Sequence, residues 1–291
     1  MNGFLNLLKP PGMTSHDVVQ AARRTLHTRA IGHTGTLDPA AAGVLVLTVG
    51  YATRLGEYVA AAVKGYRAEI VLGVTTDSGD VEGIVTARAS AADVTQDQVR
   101  AALGELTGTV IMRPPAHSAV RVNGERLYKL ARAGETVEAP ERAVEVHALE
   151  LLEFLPAGDT ALVRVEVTCS KGTYIRSLAM MLGQKLGCGA HLSMLMRTRV
   201  GAMSIEKTVT LEELAVDPAG HLLTAAQAIP DLPRIGVTED QRQALIHGQA
   251  VQTEELAQGA VLVYDEAGQL VCLGEVSGEL VQPHKVFQQS R

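Results

Sequence analysis

A single acid, Asp38, lies in the segment GHTGTLDPAAAG (residues 32–43), between glycine-containing turns and directly before a proline. The proline disfavours a helical backbone at Asp38 and favours an extended or turn conformation. Gly32, Gly35 and Gly43 allow positive φ angles and the close approach of another chain or a ligand. A carboxylate placed in this way can act as a nucleophile or a general base, or can cap its own turn. The residues alone leave all three roles open.

A second segment, SKGTYIRSL (residues 170–178), predicts the end of a strand, a tight turn and the start of a helix. Arg176 then lies in the first helical turn, where its guanidinium can bind a carboxylate through two hydrogen bonds. Such a contact lowers the pKa of the acid and keeps it ionised. Tyr174 either packs in the core or lines a site. Lys171 suits a surface or phosphate contact better than a catalytic base.

Tyr66 begins the predicted strand in KGYRAEI. An aromatic residue there usually belongs to the core, but in a chain with 3% aromatic residues it can also stack on a nucleic-acid base. His33 precedes Asp38 at a spacing that is not typical of metal sites, and no cysteine–histidine cluster supports zinc. GHTGT lacks the GK[ST] ending of a phosphate-binding loop. We therefore expect neither a metal nor a nucleotide cofactor.

The composition is that of a soluble globular protein, with 46% apolar and 20% charged residues. We find no run approaching the roughly 18 apolar residues of a membrane span, and the N-terminus does not resemble a signal peptide. The three cysteines are too few for a disulfide framework. These features predict a cytoplasmic protein that does not bind membranes.

The net charge of −6 conceals an uneven distribution. Residues 108–133 and 164–200 are rich in arginine and lysine, whereas the acids concentrate in 76–105 and 206–280. If the two basic stretches meet in space, they form a positive face that suits a polyanion. Alternatively, they are unrelated solvated surfaces.

Apolar periodicity predicts a mixture of helices and strands. Capping boxes at Thr14–Asp17 and Thr95–Gln98 mark two helix starts. In GYRAEIVLGV (65–74) apolar and charged residues alternate, so one face of this strand belongs to the core. The other predicted elements that bear on the site are a buried strand at 43–50, a helix at 52–64, strands at 144–155 and 161–170, and a helix after SKGT.

Two prolines and a glycine in IPDLPRIG (229–236) mark a domain boundary. Beyond the boundary, short strands with glycine turns predict a small β-barrel. Before it, strands and helices do not alternate regularly, which favours an α+β or α/β domain over a doubly wound sheet. We therefore predict one domain at 1–229 and a second at 230–291.

Five segments resemble, in order, the successive motifs of bacterial tRNA pseudouridine synthases of the TruB type. They are LNLLKPPGMTSHDVV, GHTGTLDPAAAGVLVLTVGYATRL, KGYRAEIVLGVTTDSGD, RPPAHSAVRVNGERLYKLARAG and VTCSKGTYIRSLA. The resemblance implies an α+β pseudouridine synthase fold, with a mixed, mostly antiparallel central sheet flanked by helices. It also implies a C-terminal PUA-like RNA-binding barrel, a monomer, and tRNA as partner. The implied reaction converts uridine 55 of the T arm to pseudouridine without a cofactor, after the base has flipped out.

The resemblance also implies roles for single residues. Asp38 is the essential catalytic acid, Tyr66 stacks on the target base and can deprotonate C5, and Arg176 is the ionic partner of Asp38. The atom that Asp38 attacks or deprotonates stays open.

The implied substrate-binding residues surround this centre. His33 wedges into the T loop where the base has left, and Tyr174 and Leu195 line the pocket. Lys9, in a proline-containing segment, supports the site, and Lys171 contacts the RNA.

Two other functions compete with this one. A non-catalytic RNA-binding protein could use the basic face and the barrel, but it would not need an acid among phosphates. A hydrolase with Asp38 as nucleophile would need a water-activating partner, and the sequence offers no candidate.

Overall fold

The computed structural model describes residues 1–115, 120–122, 125–127, 139–254 and 257–287. Part of the predicted basic stretch 108–133, and part of the RPPAHSAVRVNGERLYKLARAG motif, lie outside the described residues. The strands are β1 (Gly3–Lys9), β2 (Ile31–His33), β3 (Ala42–Val49), β4 (Lys64–Leu72), β5 (Val74–Thr76), β6 (Val85–Arg88), β7 (Gly108–Met112), β8 (Arg121–Val122), β9 (Glu125–Arg126), β10 (Arg142–Ala157), β11 (Thr160–Cys169), β12 (Ala190–Val200), β13 (Met203–Ser204), β14 (Arg234–Val237), β15 (Val251–Gln252), β16 (Gly259–Asp265), β17 (Leu270–Ser277) and β18 (Leu280–Val286). The α-helices are α1 (Ser15–Thr25), α2 (Gly56–Ala61), α3 (Gln96–Glu105), α4 (Ile175–Lys185), α5 (Leu211–Val216), α6 (Ala225–Ala228) and α7 (Glu239–Ile246).

The central sheet of the described chain has the strand order β1-β3-β12-β4-β11-β10-β7, with β2 beside β3 and β13 beside β12. Its pairings are antiparallel except for β3 with β12, where Ala42 and Gly43 lie opposite Met196 and Arg197. The predicted mixed, mostly antiparallel sheet is therefore confirmed. The parallel junction joins the strand that follows Asp38 to the strand that carries Leu195.

Strand β4 has the predicted inward face. Tyr66, Ala68, Ile70 and Leu72 are all buried and pack in one core with residues of α3 and α4. Because side chains alternate across a strand, Lys64 lies on the same face as Tyr66. This core face is the one that leads to the candidate site.

The predicted helix at 52–64 is wrong in its extent. A 3-10 helix covers Gly50–Leu55 and α2 covers only Gly56–Ala61. Ala62 has an extended backbone (φ −62°, ψ 154°), and the chain then enters β4 at Lys64. Lys64 pairs with strands on both sides, opposite Cys169 and Val200, so sheet pairing outweighs the helical propensity of the alanines.

The predicted capping boxes are both present. The Thr14 hydroxyl accepts from the Asp17 backbone N–H while the Asp17 carboxylate accepts from the Thr14 backbone N–H, and Thr95 and Gln98 do the same at α3. Each box satisfies two donors at a helix start that would otherwise lack partners. The helix start at Thr14 matters for the site because Ser15 follows it.

The C-terminal part forms a separate five-stranded sheet in the order β14-β16-β17-β18-β15, with α7 packed on it. Its end strands β14 and β15 are not paired with each other in the described chain, so the barrel is partly open. Residues of this C-terminal sheet also pack in one apolar cluster with residues that precede position 230. The members of the shared cluster include Phe4, Val44, Leu55, Leu262, Leu273 and Phe287.

Within the residues that the structure describes, no helix is both long and apolar enough to cross a membrane.

Candidate active site

A cavity of about 300 Å³ opens where four parts of the first domain meet. Its walls are the loop between β2 and β3, strands β4 and β12, and the turn that leads into α4. The predicted residues that line it are Asp38, Tyr66, Lys171, Tyr174, Arg176 and Leu195. The volume lies at the lower end of ligand pockets, which are roughly 300–1,000 Å³, and suits a single nucleoside.

The loop that carries Asp38 is anchored on both sides. The Ser15 hydroxyl accepts from the Leu37 N–H at 2.8 Å and donates to the Leu37 carbonyl at 3.1 Å. The Gly12 N–H donates to the Pro39 carbonyl at 2.8 Å. These bonds tie the loop to the start of α1, so the backbone at Asp38 is held rigidly.

Lys9 lies beneath the same loop and is fully buried. Its ammonium donates to the carbonyls of Pro10, Pro39 and Ala41 at 3.0, 3.1 and 2.6 Å. Three donors on three carbonyls leave no N–H for RNA. This arrangement favours the predicted supporting role over a direct substrate contact. Burial lowers the pKa of Lys9 to about 8, although the nearby Asp38 opposes that shift.

Asp38 and Arg176 form the predicted two-point contact. Arg176 Nε lies 3.2 Å from Asp38 Oδ2, and Arg176 Nη2 donates to Asp38 Oδ1 at 3.4 Å. Arg176 is the second residue of α4 and its side chain is 6% exposed. The carboxylate therefore bonds across the cavity to Arg176, which removes the reason to treat Asp38 as a turn-capping residue.

Arg176 is itself fixed from the opposite side by residues that the sequence did not single out. Its Nη1 donates to the Ser78 carbonyl at 3.2 Å and lies 3.4 Å from Asp80 Oδ2. Both residues belong to the loop between β5 and β6. A guanidinium held between two carboxylates keeps one orientation, which in turn fixes the direction of the Asp38 carboxylate.

The expected lowering of the Asp38 pKa is wrong in its net direction. Burial raises this pKa, and the negative charge of Asp80 raises it further. Arg176 and Lys9 lower it, but they do not fully offset burial. Partial exclusion of water from the carboxylate outweighs one favourable ion pair.

Tyr66 lies on the cavity wall and is 7% exposed. Burial raises the pKa of its phenol, and the charge of Arg197 opposes that change. Arg197 lies directly opposite Tyr66 on the neighbouring strand β12. Tyr66 is thus both a core residue and a cavity residue, so the two interpretations of its position are compatible.

Arg197 is a further site residue that the sequence did not identify, although it lies in the basic stretch 164–200. It is only 2% exposed, and its guanidinium donates to the carbonyls of Val44, Gly35 and Thr36 at 2.7, 3.0 and 3.4 Å. Register shifts on either side of it break the alternation of β12. The alternation of inward and outward side chains in a regular strand therefore does not predict which face of the sheet Arg197 occupies.

Lys64 is a second buried cation on the cavity wall, at 7% exposure. Its ammonium donates to the carbonyls of Ala60 and Ala62, both at 2.8 Å, where α2 ends. Burial, together with the charge of Arg197, lowers its pKa to about 8. The KGY motif thus supplies a cation as well as an aromatic ring.

Three of the predicted substrate-binding residues, Tyr174, Leu195 and Lys171, line the cavity, whereas His33 does not. Tyr174 precedes α4, and the guanidinium carbon of Arg142 lies 5.7 Å from its ring centre. Leu195 is half-buried and Lys171 is exposed. His33 ends β2, is exposed, and precedes a cavity residue without lining the cavity itself.

Within the described chain, no group of three histidine, cysteine or acidic side chains converges as a metal site would require.

Family models match three consecutive parts of the chain. The N-terminal domain model of the TruB family pseudouridylate synthases matches residues 23–175. The tRNA pseudouridylate synthase B C-terminal domain matches 176–219, and the model described as pseudouridine synthase II TruB, C-terminal, matches 233–287.

Curated relatives agree with these matches. The chain is 51% identical to tRNA pseudouridine synthase B of Symbiobacterium thermophilum, over 86% of this chain and 83% of that protein. It is 42% identical to the protein of the same name from Carboxydothermus hydrogenoformans, over 99% of both.

Solved structures share the architecture. One is an H/ACA RNP bound to a substrate RNA containing 2'-deoxyuridine, with a TM-score of 0.73 and 27% identity over 99% of this chain and 85% of that one. Another is a Cbf5-Nop10-Gar1 complex, with a TM-score of 0.72 and 30% identity over 98% and 85%. With an acid, an arginine and a tyrosine around one cavity, and matches along nearly its whole length, the chain belongs to the TruB family of pseudouridylate synthases.

Proposed function

We propose that this protein converts uridine 55 in the T loop of tRNA to pseudouridine, with Asp38 as its essential catalytic residue. The observation that carries the proposal is the Asp38 carboxylate, held by the buried Arg176 at the wall of a nucleoside-sized cavity that also contains Tyr66. The relatives named tRNA pseudouridine synthase B support tRNA as the substrate.

The reaction is an isomerisation. The bond between C1′ and N1 of uridine breaks, the uracil turns within the cavity, and C1′ bonds to C5. C5 loses a proton and N1 gains one, so no atom is added or removed. Asp38 serves this sequence as an ionised carboxylate that acts on the ribose or on the base. We propose that Tyr66 stacks on the uracil and accepts the C5 proton. Only the phenolate can accept this proton, and although burial raises the pKa of the Tyr66 phenol, the charge of Arg197 opposes that shift.

The target uridine reaches the cavity by leaving its stack in the T loop. Unstacking a base costs a few kcal/mol, which contacts in the pocket offset. We propose that Tyr174 and Leu195 contact the inserted nucleotide and that Lys171 contacts a phosphate at the mouth. His33, exposed beside the loop of Asp38, fills the space that the base leaves in the T loop.

The C-terminal sheet, matched by a TruB C-terminal model, would add an RNA-binding surface at residues 230–291. We propose that the active form is a monomer. We also propose that it acts in the cytoplasm, which is consistent with a tRNA substrate.

Tritium release tests the proposal. A tRNA transcript with [5-³H]uridine should lose one equivalent of tritium per molecule, and a transcript with cytidine at position 55 should lose none. Release from both transcripts would contradict the proposed position. Tight binding without release would instead indicate an RNA-binding protein, and release of free uracil would indicate a hydrolase.

A further inference from the structure

The buried charges of this protein are distributed unusually. The chain has a net charge of −6, yet the charged side chains that are buried in the described part are all cations. They are Lys9, Lys64, Arg176 and Arg197, and all four surround the cavity or its loop. Removing a cation from water is costly unless an anion or several hydrogen bonds compensate for it.

Two of these cations are already explained. Arg176 contacts the carboxylates of Asp38 and Asp80, and Lys9 holds the loop from beneath. Lys64 and Arg197 differ, because both line the cavity and their hydrogen bonds to backbone go to neutral carbonyls. Neither forms an ion pair with a described carboxylate. Among the residues that line the cavity, one is an acid, Asp38, whereas four are basic: Lys64, Lys171, Arg176 and Arg197. The described wall of the cavity therefore carries an excess of positive charge.

The two cations lie close together around Tyr66. Arg197 is opposite Tyr66 across the β4–β12 pair, and Lys64 shares the face of Tyr66 two residues earlier. A Cβ placed on Gly35 would lie 3.5 Å from Arg197 Nη1 and 3.9 Å from Lys64 Cε. Both side chains therefore border the part of the cavity beside Gly35. Arg197 also hydrogen-bonds to the side chain of Tyr66, on which the uracil is proposed to stack.

The proposed reaction creates an anion at that place. When the C1′–N1 bond breaks, its electron pair stays with N1, and the charge spreads over the uracil ring and its carbonyl oxygens. If Asp38 instead adds to C6, the ring also becomes negative. Either route requires positive charge near the base and not near the ribose.

We propose that the Lys64 ammonium and the Arg197 guanidinium stabilise the negative charge that the uracil carries between bond cleavage and bond formation. Both groups keep their protons and act by electrostatic attraction. Because their positions are fixed before the substrate arrives, they do not need to reorganise during the reaction, which makes such groups effective. This assignment rests on the proposed isomerisation and adds two catalytic residues to it.

The test uses Lys64→Gln and Arg197→Gln in the full chain, with single-turnover tritium release from T-arm RNA and a separate binding measurement. We expect the rate constant to fall about 10²-fold to 10³-fold, as for loss of one preorganised donor, while the Kd for RNA changes less than about threefold. Lys185→Gln is the matched control, because Lys185 pairs with Glu105 on the surface of α4, and it should behave as wild type. Thermal melting verifies that each variant is folded.

A pH series with Lys64→Arg separates charge from packing. Lys64 loses its charge as the pH rises through about 8, so the wild-type rate should fall there, whereas an arginine stays protonated. The charged or titrating groups that act on Lys64 are Arg197, Cys169 and Lys171. Tyr66 lies two residues away on the same face of β4. Lys9, under the Asp38 loop, has a similar pKa. In the wild-type protein the rate should therefore decrease at alkaline pH as two groups lose protons, Lys9 and Lys64. In Lys64→Arg only Lys9 loses its proton, so the decrease should be less steep.

Several results would overturn the assignment. Full rates in both Gln variants would show that the charges are not used. A loss confined to Kd would show that the cations hold the RNA backbone. Identical alkaline profiles for wild type and Lys64→Arg would remove Lys64 from the charge stabilisation. No tritium release by the wild-type protein would refute the proposed function itself and is distinguishable from all three.

Discussion

At the scale of single residues, the Asp38–Arg176 contact determines what the site can do. Arg176 approaches Asp38 with Nε and one terminal nitrogen, at 3.2 and 3.4 Å, and uses its other terminal nitrogen for Asp80 and the Ser78 carbonyl. A single side chain thereby connects the loop that carries Asp38 to the β5–β6 loop. Only a planar, forked cation can make all these contacts at once.

Arg176→Lys should therefore lose most of the activity. Lysine keeps the charge but cannot contact Asp38 through two nitrogens while it holds Asp80. We expect the single-turnover rate to fall by about 10²-fold, the order found when a catalytic group is mispositioned, with RNA affinity nearly unchanged. Arg67→Lys is the control, since Arg67 forms an exposed pair with Glu166. Near-normal turnover in Arg176→Lys would contradict the role of the paired contact.

The pH dependence should report the Asp38 pKa. Because burial raises this pKa, the carboxylate becomes protonated, and the rate falls, at a higher pH than for an ordinary aspartate. Asp80→Asn removes a negative charge that contributes to the raised value, so the acidic decrease should move to lower pH. The measurement is kcat/KM over the acidic range up to neutral pH, with circular dichroism as a folding control. An acidic decrease that stays in place, or moves upward, would contradict this coupling.

At the scale of elements, the parallel junction of β3 and β12 is the feature that brings the site together. Gly43 has φ +108°, and a Cβ there would lie 2.2 Å from the Arg197 carbonyl oxygen. The absence of a side chain allows the strand after Asp38 to approach the strand that carries Arg197. The two walls of the cavity are thus set by one close backbone contact.

Gly43→Ala should weaken both stability and activity. The added Cβ must push β3 and β12 apart, and the positive φ of residue 43 adds a strain of about 1–3 kcal/mol for alanine. We therefore expect a lower midpoint of denaturation and a slower reaction. Gly104→Ala is the matched control. Gly104 lies within α3, where a Cβ would meet no other atom within 4 Å, so alanine should stabilise the protein by about 0.5–1 kcal/mol. Equal effects at the two positions would refute the importance of the β3–β12 contact.

The elements also show how far the sequence could lead. The alternation in β4, the two capping boxes and the position of Arg176 in the first turn of α4 are local patterns, and the structure confirms them. Arg197 and Asp80 could not be found in this way. Arg197 follows a break in the alternation of β12, and Asp80 reaches Arg176 only through tertiary contacts. Burial of Asp38, which reverses the expected pKa shift, is likewise a property of the assembled cavity.

At the scale of the whole molecule, the C-terminal sheet is attached to the first domain by specific contacts. Phe287 is 5% exposed, its ring lies 4.9 Å from that of Tyr51, and Arg54 lies 5.2 Å above it. Arg54 also donates to the Val286 carbonyl at 2.7 Å, and Lys285 bonds to the Arg54 carbonyl and to Glu57. The predicted boundary near residue 229 thus separates two sheets that share one apolar cluster.

Removing residues 230–291 should affect more than RNA binding. The first domain would lose the partners of its apolar cluster, so we expect a lower melting temperature together with weaker tRNA binding and some remaining activity. Phe287→Ala tests the contact without truncation, and loss of a buried phenylalanine costs about 3–5 kcal/mol. An unchanged denaturation midpoint in both proteins would show that the two parts are independent.

The most direct test of the central claim is tritium release from [5-³H]uridine in T-arm RNA by Asp38→Asn, measured alongside RNA binding. Asparagine keeps the size of the side chain but cannot act as an ionised carboxylate. We predict no detectable release by the variant, with RNA affinity close to that of the wild-type protein, which should release one equivalent. Release by Asp38→Asn at the wild-type rate would exclude Asp38 from the chemistry and contradict the mechanism proposed for this site.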